Sequence, residues 1–196
     1  MTTSAAASQH PFRAFIATYT AISDAEWAQV AATLEARTVA AGTLLIEAGR
    51  VCRHLYFLES GLMRFFLWKD GRDVTKFFTE APYAFTSQRS FAGQQPATEN
   101  VEALEKSTLW QLPATEAFAL LEAVPAWATF VRLLTQQVQH YTENILEELQ
   151  TETAETRYRT LLRDRARLVQ RVPVRHLASY LGIAPQSLSR IRRNVT

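Results

Sequence analysis

The residues of this 196-residue chain best equipped to engage another molecule lie together near its C-terminal end. The stretch Val174-Arg-His-Leu-Ala-Ser-Tyr-Leu-Gly-Ile-Ala-Pro-Gln-Ser-Leu-Ser-Arg-Ile-Arg-Arg193 spaces Leu177, Leu181, Ile183, Leu188 and Ile191 so that two short helices each bury one face. Between those helices stands Gly182, where a turn that needs positive φ is cheapest, and Ala178 is small enough to let them approach. Pro185 falls in the first turn of the second helix, where its missing N–H costs nothing. The spacing predicts a helix-turn-helix whose outward residues are Arg175, Gln186, Ser187, Ser189, Arg190, Arg192 and Arg193. Entering a major groove, such a helix would set Gln186 against adenine and Arg190 against guanine O6 and N7, with the other arginines on phosphate.

The charge distribution points the same way. Residues 153–196 hold ten arginines against Glu155 and Asp164, a net of +8. Residues 1–152 hold eleven basic and seventeen acidic residues, a net of −6, so the overall +2 conceals an acidic body with a basic end. A polyanion is the partner that such a segment attracts.

Other chemistry finds little support. The single cysteine, Cys52, excludes an intramolecular disulfide, a four-thiolate cluster and a Cys-rich zinc module. Cys52 lies among Arg50, Arg53 and His54, the kind of cationic setting a redox-sensing thiol would need, but a lone cysteine at a strand edge is ordinarily inert. His10, His54, His140 and His176 form no metal-ligand spacing, and no cofactor is expected. Glu147 and Glu148 are adjacent on a helix and point apart, so they are no catalytic carboxylate pair. With no nucleophile elbow, phosphate loop or dinucleotide fingerprint, an enzyme is not expected. No apolar run approaches the ~20 residues of a membrane helix. Met1 to His10 is too polar for a signal peptide, and a cytoplasmic protein without membrane contact is the reading.

Several elements must position the C-terminal residues. Ser23-Asp-Ala-Glu26 is a capping box that opens a helix, with Trp27, Val30, Ala31 and Leu34 on its apolar face and an expected end near Arg37. From Thr38 to Leu112 short aromatic and branched runs alternate with turns, among them Asp70-Gly71, the dipeptide of a tight hairpin. Roughly eight strands over ~75 residues imply a small closed or nearly closed antiparallel barrel or sandwich. A helical region opens at Pro113, Val124-Pro125 breaks it, and a longer helix follows. There Trp127, Val131, Leu134, Val138, Tyr141 and Ile145 recur at spacings of 4, 3, 4, 3 and 4, a heptad seam for pairing with a second copy. Phe130, Leu133 and Leu146 form a second stripe that would face the roll. A further helix is expected from Ala154 to Val169.

The order of helix, strand-rich roll, seam helix and helix-turn-helix resembles the Crp/Fnr-type transcription regulators. The resemblance rests on Ala41-Gly42, Glu47-Ala-Gly49, Tyr56-Phe-Leu-Glu-Ser-Gly61 and Asp70-Gly71 in the roll, and on Glu155-Thr-Arg-Tyr158 and Leu188-Ser-Arg-Ile-Arg192 beyond it. It implies an α+β protein: an antiparallel, jelly-roll-like β-roll with flanking helices, a long dimerisation helix and a C-terminal helix-turn-helix. The implied division is a sensor unit over 1–124, a dimerisation helix over 125–152 and a DNA-binding unit over 153–196. The implied function is a homodimeric, sequence-specific DNA-binding regulator of a near-palindromic operator, with RNA polymerase as a further partner the resemblance allows.

Two departures qualify it. Cyclic-nucleotide binders in this family carry Gly-Glu and, some ten residues later, Arg-Ser; here Thr86-Ser87 and Ala97-Thr98 stand in those places. A buried phosphate without its arginine is costly, so the roll is implied but cyclic AMP is not. Ser87, Arg89 and Thr98 are the candidates for an unidentified small-molecule effector. The sequence given also ends directly after the second helix, leaving no β-wing for phosphate contacts. The competing expectation is a ligand-binding or protein-interaction roll whose reduced helix-turn-helix does not read DNA.

Overall fold

The computed structural model describes residues 10–195, so the polar leader before His10 lies outside the described residues. Two short helices open the chain, α1 (Pro11–Ala17) and α2 (Asp24–Ala31). The capping box of α2 is formed in full, with the Ser23 hydroxyl accepting from the Glu26 amide and the Glu26 carboxylate accepting from the Ser23 amide. The helix stops well before Arg37, which lies in the first strand. Thr33 donates both its amide (3.1 Å) and its hydroxyl (2.8 Å) to the Val30 carbonyl, tightening and ending the last turn.

Eight strands follow: β1 (Glu35–Val39), β2 (Leu44–Ile46), β3 (His54–Ser60), β4 (Leu62–Lys69), β5 (Arg72–Glu80), β6 (Tyr83–Phe85), β7 (Asn100–Ala103) and β8 (Ser107–Pro113). They form two four-stranded antiparallel sheets, ordered β1-β8-β3-β6 and β2-β7-β4-β5. The α+β class and the antiparallel roll that the resemblance implies are both present. Asp70 (φ 51°) and Gly71 (φ 72°) make the two-residue hairpin between β4 and β5, the positive-φ pair that matches strand twist. At the β3–β4 corner Gly61 (φ 116°) is obligatory, because a Cβ there would lie 2.0 Å from the Ser107 hydroxyl.

The helix α3 (Gln88–Gly93) lies between β6 and β7, and α4 (Ala114–Ala123) and α5 (Pro125–Thr151) follow β8. α4 and α5 are bent by 115° at the intervening Val124, and among the described residues no single helix is long and apolar enough to cross a membrane. Phe12 on α1 stacks on Phe57 of β3 at 4.6 Å and meets Trp127 and Phe130 of α5 edge-on. This aromatic cluster ties the outer face of the first sheet to the long helix.

The heptad stripe of α5 is therefore divided. Trp127 (0% exposed) and Leu134 (8%) are buried in the protomer's own core, and Tyr141 meets Phe77 of β5 edge-on at 6.4 Å. The second stripe also splits: Phe130 is buried, whereas Leu146 is 56% exposed. Phe12 of α1 and the Ala117 carbonyl of α4 meet Trp127, so these helices claim the apolar face of the first turns, whichever period it follows.

Beyond α5 the chain forms α6 (Ala154–Asp164), α7 (Ala166–Arg171), α8 (Val174–Leu181) and α9 (Pro185–Val195). The single helix expected over 154–169 is broken at Arg165, whose φ of −137° leaves the helical region. There the Arg165 side chain reaches Glu80 of β5 at 3.0 Å. These helices share a second apolar cluster, built on Tyr158, Leu161, Leu168, Leu177, Leu181 and Leu188, that also takes in Leu62 of β4 and Phe78 of β5. β4 is thus buried on both faces: Met63 and Phe65 point to the main core, and Leu62 points to the C-terminal helices.

Candidate nucleic-acid interface

The α8–α9 pair is held by backbone chemistry that its sequence dictates. Gly182 (φ 71°) ends α8 in the left-handed region, its amide donates to Ser179 (3.1 Å), and the Ile183 amide donates to Ala178 (3.0 Å). This is a Schellman ending, in which the glycine turns the chain and the next residue closes over the last turn. Arg157 of α6 adds a side-chain cap, donating to the Leu181 carbonyl at 2.6 Å. α9 then begins at Pro185, with the Leu188 amide donating to Ala184 at 3.1 Å. Leu177, Ala178, Leu181 and Leu188 are all at most 1% exposed, so the two helices are locked face to face.

The predicted contact residues do not all end on one surface. Gln186, Ser189, Arg190 and Arg193 are exposed on α9, and Arg175 is exposed on α8. Ser187 is half-buried. Arg192 is also half-buried, its guanidinium lying 5.9 Å from the ring of Tyr158 on α6. The Arg192 stem therefore covers apolar surface, as long cationic side chains commonly do. The outward face of α9 carries one amide, a hydroxyl and two unburied guanidiniums, a set suited to base edges and phosphates.

The inward face of α8 carries what sequence reading missed. His176 is only 6% exposed, and its Nε2 accepts from the Arg175 Nε at 3.2 Å. Burial lowers its pKa to about 4, and the nearby cations Arg64 and Arg175 push in the same direction. Arg64 of β4 is 1% exposed and is held by Asp73, by Glu102 of β7 at 2.8 Å and by the Thr75 hydroxyl at 2.9 Å, with Phe66 stacked beneath it. A lone arginine in the apolar run Leu62-Met-Arg-Phe-Phe-Leu67 is the signal that would have found this cluster, since a cation there must be paired.

The effector candidates do not converge. Ser87 is 2% exposed at the start of α3 and makes no capping hydrogen bond, while Arg89 and Thr98 are exposed. Thr86 donates to the His54 carbonyl, and the buried Ala97 pairs by backbone with Gly49 and Arg50. A cavity of about 410 Å³ beside Arg13 and Asp24 and one of about 200 Å³ beside Cys52 and Tyr56 are lined by none of the three candidates. The Cys52 thiol is buried, within 3.2 Å of the Thr86 hydroxyl. Among the described residues no three His, Cys, Asp or Glu side chains are grouped to hold a metal ion.

Residues 36–123 match the family model of the cyclic nucleotide-binding domain. No curated protein matches the chain in sequence. Among solved structures, a Crp/Fnr-family protein from Eubacterium rectale superposes with a TM-score of 0.72 at 17% identity, covering 88% of this chain and 83% of its own. FixK2 from Bradyrhizobium japonicum gives 0.73 at 16% identity, with 83% and 84% covered. CLP of Xanthomonas campestris, a c-di-GMP responsive global regulator, gives 0.72 at 14% identity, with 88% and 91% covered. The chain thus matches the cyclic nucleotide-binding domain over residues 36–123 and shares the fold of solved Crp/Fnr regulators over most of its length.

Proposed function

We propose that this chain is a cytoplasmic, homodimeric transcription regulator of the Crp/Fnr type that reads DNA with α9 and is not an enzyme. The observation that carries the reading is the exposed face of α9: Gln186, Ser189, Arg190 and Arg193 project from a helix fixed by the Schellman turn, within a segment of net charge +8. Ser187, Arg192 and Arg175 border that face. In this reading residues 1–124 form the roll unit, 125–152 the dimerisation helix and 153–196 the DNA-binding unit. The distal half of α5 supplies the two-fold contact, where Val138 and Ile145 are half-buried and Leu146 and Leu149 are exposed. Two copies of α9 would meet successive major grooves about 34 Å apart on a near-palindromic operator. RNA polymerase is the further partner that a regulator of this kind engages.

The test is selection of bound fragments from the source genome, with sequencing of those enriched. An inverted repeat with half-sites one helical turn apart is expected. Uniform, salt-sensitive binding without an enriched motif would overturn sequence-specific reading.

The match to a cyclic nucleotide-binding domain favours a second reading, in which the roll is a small-ligand module and the α8–α9 pair a docking surface. Titration of the protein with cyclic AMP and c-di-GMP by calorimetry separates the two. Binding of either without DNA affinity supports the second reading alone.

A further inference from the structure

The second sheet ends in β5, whose free edge lies against α8 rather than solvent. Two successive outward backbone groups of that edge are engaged by one side chain. The Ser179 hydroxyl accepts from the Thr75 amide at 2.9 Å and donates to the Asp73 carbonyl at 2.9 Å. These are the donor and acceptor that a next strand would occupy, so Ser179 closes the edge. Around this key the contact is clamped by ion pairs. Arg171 of α7 bridges Glu80 of β5 (2.9 Å) and Glu105 (2.5 Å), and Arg165 reaches the other carboxylate oxygen of Glu80 (3.0 Å). Tyr180 packs on Phe78 of β5 at 5.6 Å, and Tyr141 of α5 meets Phe77 of the same strand at 6.4 Å. The roll, the long helix and α8 therefore meet at one point. While this contact is made, the outward residues of α9 remain exposed.

The roll interior is occupied by the chain's own rings. Phe65 stacks on Phe77 at 4.0 Å and meets Phe85 edge-on at 5.6 Å, and Phe85 stacks on Tyr56 at 5.3 Å. The Tyr56 hydroxyl crosses to the Leu45 carbonyl at 3.2 Å, tying the two sheets together from within. Phe77 continues the series to Tyr141 of α5. The roll interior is thus filled by packed rings whose series continues to α5.

We propose that the outer face of β4–β5 is a built-in dock, keyed by Ser179, that sets α9 in its reading pose without a small-molecule effector. This rests on the reading that α9 binds DNA. Ser179→Ala removes both edge hydrogen bonds while leaving α8 a better helix former, so the fold survives the change. Glu105→Gln removes one arm of the Arg171 clamp and serves as a second variant.

The experiment follows the full chain in two readouts: hydrogen exchange at the Thr75 amide, and affinity for a labelled duplex of the enriched sequence with and without cyclic AMP or c-di-GMP. The Thr75 amide is expected to be protected in the parent and to exchange about tenfold faster in Ser179→Ala, with duplex affinity falling by up to about tenfold. Parent affinity should change less than about twofold with either nucleotide. A tenfold gain with nucleotide would overturn effector independence. An unprotected Thr75 in a parent that binds the duplex would overturn the dock and leave the DNA reading standing. A protected Thr75 in a parent that binds no duplex would overturn the DNA reading and the preset pose with it.

Discussion

Arg157 of α6 donates to the carbonyl of Leu181, 2.6 Å away and 24 residues later, at the point where α8 turns into α9. One guanidinium thereby joins the helix preceding the pair to the turn inside it. Removing it should cost about 1.5–3 kcal/mol, the range for a hydrogen bond from a charged donor. Urea unfolding of Arg157→Ala checks this, and an unchanged midpoint would show that the turn holds without its cap.

Arg64 should be among the most costly polar residues to replace. It is 1% exposed and answers both Asp73 and Glu102, so Arg64→Ala leaves two carboxylates facing a covered interface without their cation. Breaking a buried pair from one side typically costs about 3–5 kcal/mol. A thermal-melt loss near the size of a surface substitution would disprove the burial of this cluster.

Stability should fall as the solution is acidified from neutral. His176 titrates at about 4 when folded, chiefly because it is buried, against an ordinary 6.5. The unfolded chain therefore takes up its proton first, so the stability this residue contributes is complete above about 6.5 and is lost as pH falls from there towards about 4. His10 and His54 are lowered by burial as well and add the same sign. The measurement is the difference in urea midpoint between parent and His176→Gln at pH 7.5, 6 and 5, which should shrink with acid.

Dimerisation should depend on the exposed end of α5. Leu146 and Leu149 are 56% and 52% exposed, unlike Trp127 and Leu134 earlier in the same helix. The double substitution Leu146→Glu and Leu149→Glu is expected to give a folded monomer by analytical ultracentrifugation. A dimer that persists would move the two-fold contact elsewhere.

DNA binding should separate by residue. Arg190→Ala is expected to relax base preference and weaken the selected site by ~1–3 kcal/mol, whereas Arg193→Ala should weaken all sequences alike and lower the salt slope by about one. Competition binding across salt concentrations distinguishes the two, and an unchanged preference in Arg190→Ala would remove it from base reading.

Where local rules apply, the residues could be read directly. Ser23 and Glu26 specify a capping box, Asp70 and Gly71 a hairpin, and Gly182 with Ile183 a helix ending, because each depends on neighbours within about four positions. The eight strands and the α8–α9 pair follow from such signals together with apolar periodicity. Helix ends were less legible, since Thr33 and Arg165 stop their helices through contacts that periodicity does not encode.

Partner choice is different in kind. Periodicity states that the stripe Trp127, Val131, Leu134, Val138, Tyr141 and Ile145 must be covered, but burial is indifferent to what covers it. Here α1 and α4 cover the start of that stripe at Trp127. The same holds for Ser179, whose partners Thr75 and Asp73 lie 104 and 106 residues earlier and meet it only when α8 closes the edge of β5. Short-range geometry determines which elements form. Which faces meet, and so which polar groups are buried and paired, is decided by the competition among all the folded chain's surfaces at once.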